Sequence, residues 1–257
     1  MKSAFYRFED GLYHPQQPAT GSWNRTHQNG VAVGGLLVRT IEAAPAPVPM
    51  LTCRLTIDIM RPAPFQPVAA RARVVREGPR MQTLESEIWA GDVCVARASA
   101  VRIRLAQTPP VGEAPLPLPS PEDAPERPVT SVLGAGHPME TRVVKGNPRE
   151  PGPGAYWTRF NADLVAGEEL PPAARAAMAA DIASAPSSVL SREWSYANVD
   201  LSIYFTRAPV GEWVLIDCET VTEGNGSALV NSVLCDRTGP FGRAHQTLFV
   251  APIARSA

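Results

Sequence analysis

The sequence predicts an α+β protein of two related domains in tandem, each an antiparallel sheet laid against one helix, and three observations predict it. The chain has 257 residues, which is room for two domains of about 110 to 130 residues that each close a core. Prolines crowd its middle, with 12 of the 27 falling between Gln107 and Gly154. The parts on either side repeat one another when the second is read 146 residues after the first, with ten identities in 55 aligned positions and no gap.

Each element can be justified in order. The first half opens with a strand, followed by an apolar helical segment at 31–44, VAVGGLLVRTIEAA, which stops before Pro45. Leu51, Cys53, Leu55, Ile57 and Ile59 then alternate with Thr52, Arg54, Thr56 and Asp58, the period of a half-buried strand. Further strands are expected at 67–76, 80–90 and 93–104, separated by turns at Glu77-Gly78-Pro79 and Gly91-Asp92. In the second half a helix is expected at 171–185, PPAARAAMAADIASA, whose two prolines suit a first turn. Strands follow at 198–207, 212–222, 227–235 and 241–250.

The repeat carries the fold assignment. Leu55 meets Leu201, Ile57 meets Ile203, Arg61 meets Arg207, and Arg97-Ala98 meet Arg243-Ala244. The apolar alternation keeps its phase throughout, whereas a slip of one residue inverts it. Helix then meander, twice over, is the order of a double hotdog, in which each sheet wraps around a central helix. The expected division is an N-terminal domain over 1–106, a proline-rich linker over 107–154 that lies over a surface without being a packed element, and a C-terminal domain over 155–257.

Composition excludes several classes of function. With 44% hydrophobic and 19% charged residues the chain reads as globular, and no apolar run approaches the roughly 20 residues of a membrane span. Acidic residues by position 9 and the lack of an apolar stretch at the start give no export signal, so a cytoplasmic location is expected. A net charge of −1, with arginines scattered along the chain, argues against nucleic acid as a partner. Cys53, Cys94, Cys218 and Cys235 lie in strand-like stretches with no CxxC pair, so they read as buried thiols and no metal is expected. Exposed sheet edges predict a homo-oligomer.

Three passages resemble a known family: WNRTHQNGVAVGGLLVRTIE, NVDLSIYFTRAPVGEW and LCDRTGPFGRAHQTLFV. They are similar to the type II acyl-CoA thioesterases with two fused hotdog domains. The resemblance implies attack of water on an acyl-CoA thioester, a place in fatty acid metabolism, and no cofactor beyond the CoA of the substrate. It also implies that an Asp, Thr and Gln of the C-terminal domain position the water. These fall on Asp181, Asn198 and Gln246, so an amide replaces the family's hydroxyl at Asn198, and both groups donate and accept. HQNG stands where relatives often carry His-Gly-Gly.

The residues themselves support such a site. Asp181 shares a helix face with Met178, Ile182 and Ala185, and a carboxylate on an apolar stripe gains proton affinity by burial. The plain alternative is a solvated aspartate at a helix end. Gln246 follows the phase of Ala244 and Leu248, and the alternative for it is an exposed strand edge. At the repeat offset Asp181 meets Gly35, Gln246 meets Ala100 and Asn198 meets Thr52, which leaves one working site in two halves. His27, Asn29, Gly30 and Val31 lead into the first helix and are expected to bind substrate, with the N–H of Gly30 or Val31 polarising the thioester carbonyl. His27 reads equally as a capping or packing residue, and His245 is expected to point away from Gln246. A different class of function fits the same residues, a non-hydrolytic acyl-CoA or acyl-carrier binding protein that kept the fold.

Overall fold

The alternating segments pair into one long sheet that runs through both halves. The computed structural model describes residues 3–21, 24–111, 118–126, 138–147, 150–185, 187 and 193–253. Trp23 and much of the proline-rich stretch, which entered the sequence argument, lie outside them. The first half consists of β1 (Ala4–Glu9), β2 (Leu12–Pro15), α1 (Gly30–Glu42), β3 (Met50–Ile59), β4 (Ala69–Arg76), β5 (Met81–Ala90) and β6 (Val93–Arg104). The second consists of β7 (Met139–Lys145), β8 (Gly154–Phe160), β9 (Asp163–Val165), α2 (Pro172–Asp181), β10 (Trp194–Asn198), β11 (Asp200–Phe205), β12 (Val214–Val221), β13 (Ser227–Asp236) and β14 (Gly239–Pro252).

The main sheet has the order β4-β5-β6-β3-β11-β14-β13-β12-β8-β7, with β10 also paired to β14. A small sheet, β2-β1-β9, adds a parallel contact between the halves. This is the expected α+β double hotdog, and no helix among the described residues is long and apolar enough to cross a membrane.

The duplication is visible in the hydrogen-bond register. Moving each partner forward by 146 turns Ile57↔Ala98 into Ile203↔Ala244, Leu84↔Ala100 into Val230↔Gln246, and Ala69↔Trp89 into Leu215↔Cys235. Irregularities recur as well: the shift at Ile88/Trp89 returns at Leu234/Cys235. The shift at Cys53 returns at Val199, where the second half breaks one long strand into β10 and β11. Thr56 pairs with Ser202, its own counterpart, so the junction of the halves lies on a local two-fold axis.

The helices fill the space inside the sheet. Leu36, Leu37, Val38 and Ile41 of α1 are fully buried, each side chain contributing about 1.5–3 kcal/mol through removal from water. The buried alanines of α2 let it lie close to α1. The two run antiparallel: a β-carbon at Gly35 would come 2.7 Å from Met178 Cγ, and one at Gly30 would come 2.7 Å from Asp181 Oδ2. Glycine keeps both contacts this close, since a side chain at either position would have to displace Met178 or the Asp181 carboxylate.

The structure corrects the sequence reading in three places. The expected linker contains β7, which pairs with β8, and Ala124 is buried beside Trp157 and Trp213. Proline content hid a strand there, because the seven residues of β7 contain none. Cys53 and Cys94 are only partly buried, unlike Cys218 and Cys235. Finally, the offset of 146 holds for the strands but not for the helices. Glu42 and Asp181 are each the last residue of their helix, and each contacts the equivalent strand residue, Thr52 or Asn198. Glu42, not Gly35, is the counterpart of Asp181.

Candidate active site

A cavity of about 600 Å³ opens at the N-terminal end of α1, with Gly30, Val31, Asp181, Ser184, Tyr196 and Asn198 in its wall. The loop before α1 is tightly held. Gly21 N–H donates to His27 O at 2.7 Å, and Gln28 Nε2 donates to Pro64 O at 2.8 Å while Gln28 Oε1 accepts from Tyr6 Oη at 2.6 Å. Asn29 caps the helix, accepting from Ala32 N–H at 2.8 Å and donating to Pro18 O and Thr20 O. Its amide therefore serves the helix end and holds Gly30 and Val31 at the cavity wall. No described group accepts from the N–H of either residue, so these first-turn donors point their partial positive charge toward the cavity.

Asp181 closes α2 against this helix end. Burial pushes its carboxyl up to about 6, with the hydrogen bond from Asn198 pulling the other way. Asn198 Nδ2 donates to Asp181 Oδ1 at 3.0 Å and to the Asp181 backbone O at 2.7 Å, and its Oδ1 accepts from Ser184 Oγ at 3.3 Å. Both amide hydrogens thus hold the aspartate, so Asn198 orients the carboxylate and can meet a water only through Oδ1.

The three predicted polar residues do not share one surface. Asp181 and Asn198 are in contact within the cavity, whereas Gln246 is 1% exposed, stands outside the cavity wall, and donates from Nε2 to Ala180 O at 2.9 Å. Its Oε1 is buried with no partner among the described residues, an atom that calls for a donor. His27 is half-buried at the wall. His245 is exposed and contacts Asn231 on the opposite face, as the strand phase requires. Sequence reasoning missed Ser184, which lies in the turn that follows α2. It also missed Tyr196, Met60 and Arg61 in the wall, which loop and strand positions do not reveal.

Comparison with known proteins identifies the family. Residues 19–103 match the acyl-CoA thioesterase N-terminal domain and residues 113–250 the acyl-CoA thioesterase C-terminal domain. The chain belongs to this acyl-CoA thioesterase family. Among solved structures it is similar to a conserved protein of unknown function with a hot dog fold from Alicyclobacillus acidocaldarius, with a TM-score of 0.76, 18% identity and 96% of each chain covered. It is similar to the tesB protein of Mycobacterium avium subs paratuberculosis, with a TM-score of 0.69, 18% identity, and 96% and 95% covered. It is also similar to the acyl-CoA thioesterase II TesB2 of Mycobacterium marinum, with a TM-score of 0.67, 17% identity and 96% of each chain covered. No curated protein matches the chain. Likeness at this identity establishes the fold, and the family supports thioester hydrolysis as the general chemistry.

Proposed function

We propose that this chain hydrolyses acyl-CoA thioesters to the free acid and CoA, with Asp181 as general base. One observation carries the reading: a carboxylate raised to about 6 stands against the open N-terminal end of a buried helix, inside a cavity. Such a carboxylate is ionised at neutral pH yet basic enough to take a proton from water. In this reading water adds to the thioester carbonyl as its proton passes to Asp181, and the negative charge that develops on oxygen meets the N–H groups of Gly30 and Val31. The C–S bond then breaks, and the CoA sulfur takes the proton back from Asp181. Asn198 holds Asp181 in place. Gln246, outside the cavity wall, supports the helix end one residue earlier by donating to Ala180 O. The reaction uses no metal or redox cofactor.

The test is CoA release from acyl-CoAs of graded chain length, followed with a thiol reagent. Turnover by the wild type that Asp181→Asn lowers about 10²- to 10⁴-fold supports the reading; turnover unaffected by that substitution removes it. One observation favours a second reading, binding of an acyl-CoA or acyl carrier without turnover: Asn198 commits both donors to Asp181. Tight binding of intact acyl-CoA with no release of thiol selects it.

A further inference from the structure

Arg61 and Arg207 occupy the same place in the two halves, 146 residues apart. Their backbones match, since Met60 N–H donates to Val95 O at 3.0 Å and Thr206 N–H to Phe241 O at 2.8 Å. Their side chains do not. Arg207 is bidentate to Asp236, at 2.5 and 2.8 Å, and donates to Gly239 O at 2.8 Å. Asp236 also accepts from the N–H groups of Val210 and Thr238, so this arginine locks the β13–β14 hairpin to the loop after β11.

In the first half the residue corresponding to Asp236 is Ala90. Arg61 has lost its carboxylate, is exposed, and stands in the cavity wall beside Met60 and Pro62. Nearby acids are engaged elsewhere: Asp58 accepts from Arg97 at 2.9 Å and Glu87 from Trp89 Nε1 at 3.0 Å. No described side chain pairs with the Arg61 guanidinium. A planar fork of donors without a partner suits a phosphate. In an acyl-CoA the pantetheine arm separates the thioester from the phosphates. A phosphate site therefore belongs at an exposed rim, away from the half-buried Asp181.

We infer that Arg61 binds a phosphate of the CoA portion of the substrate, an inference that rests on the acyl-CoA reading above. The experiment compares KM for an acyl-CoA and for the matching acyl-pantetheine, which carries no phosphate. Wild type is expected to prefer the acyl-CoA. Arg61→Ala is expected to raise KM for the acyl-CoA about five- to tenfold and to erase most of that preference, with Arg61→Glu raising it further. Arg243→Ala, which removes an exposed arginine of the second half, is expected to keep the preference. An unchanged preference in both Arg61 variants, or an equal rise for both substrates, overturns the inference. If wild type hydrolyses neither compound, the hydrolase reading fails by itself. Calorimetric titration with free CoA then decides the role of Arg61: weaker binding by Arg61→Ala upholds it, and equal binding overturns it.

Discussion

The two halves share strand register except at the shift between Val74 and Arg76, which the second half lacks, yet their helix ends have opposite characters. At the end of α1, Glu42 accepts from Thr52 at 2.7 Å, and the buried Arg102 donates to Ile41 O, Ala44 O and Gln82 Oε1 at 2.7, 2.9 and 3.1 Å. A cation thus caps the helix where its dipole is negative, and the polar atoms there find protein partners. At the end of α2 the corresponding strand position holds Leu248, Gln246 supplies the donor to Ala180 O, and the carboxylate of Asp181 faces a cavity. The helix starts differ too. Asn29 and Gly30 offer N–H donors beside Asp181, while α2 begins with Pro171 and Pro172, which have no N–H to offer. Its start lies beside α1, where Arg39 pairs with Glu168 at 2.7 and 2.8 Å. Duplication preserved the scaffold, and site chemistry depends on the few residues where the copies diverged.

The largest expected effect separates the two carboxylates. Asp181→Asn is expected to lower kcat for an acyl-CoA about 10²- to 10⁴-fold, while Glu42→Gln stays within about twofold. Equal losses would abolish the contrast between the halves. In the wild type kcat/KM should rise through an acid limb near the Asp181 value of about 6. The same group sets a stability dependence of opposite direction. Its folded value lies above the ordinary aspartate range, so the folded state binds the proton more tightly and stability falls as pH rises from about 4 to 6. Asp181→Asn is therefore expected to melt at a higher temperature than wild type at pH 8, with the gap closing toward pH 4. A variant that melts lower at pH 8 contradicts this.

The first half offers the next largest effect. Arg102→Leu installs the residue of the second half and leaves Ile41 O, Ala44 O and Gln82 Oε1 without their donor. A loss of about 2–4 kcal/mol is expected in denaturant unfolding. Stability equal to wild type would mean that Arg102 does not seal this end.

Strand phase made the scaffold legible, because a period of two across 55 positions survives when only ten residues stay identical. The helix ends were not legible, since no phase links a helix to the strand after it. Ten positions separate Glu42 from Thr52 and seventeen separate Asp181 from Asn198, so a single offset pointed to Gly35 and concealed the carboxylate at Glu42. Asp181 announced itself as a charge on an apolar face. The task of Asn198 depends on which atoms its two hydrogens reach, and strand phase carries no information on that. The strand β7 escaped notice because the prolines around it dominated the composition.

The smallest effect tests whether Asn198 is itself held. Ser184 Oγ donates to Asn198 Oδ1 at 3.3 Å, which leaves Nδ2 facing Asp181 and disfavours the flipped amide. The bond is long and neutral, so Ser184→Ala is expected to lower kcat only about two- to threefold. The informative readout is the acid limb. Asn198 lowers the Asp181 value by donating to the ionised form, so a looser amide should shift the limb toward higher pH, and Ser184→Thr, which keeps a hydroxyl, should restore it. The first half has no such chain, since its carboxylate meets the Thr52 hydroxyl directly. If Ser184→Ala leaves the limb in place, Asn198 is fixed by Asp181 alone, and the contrast between the halves reduces to the carboxylate and its cavity.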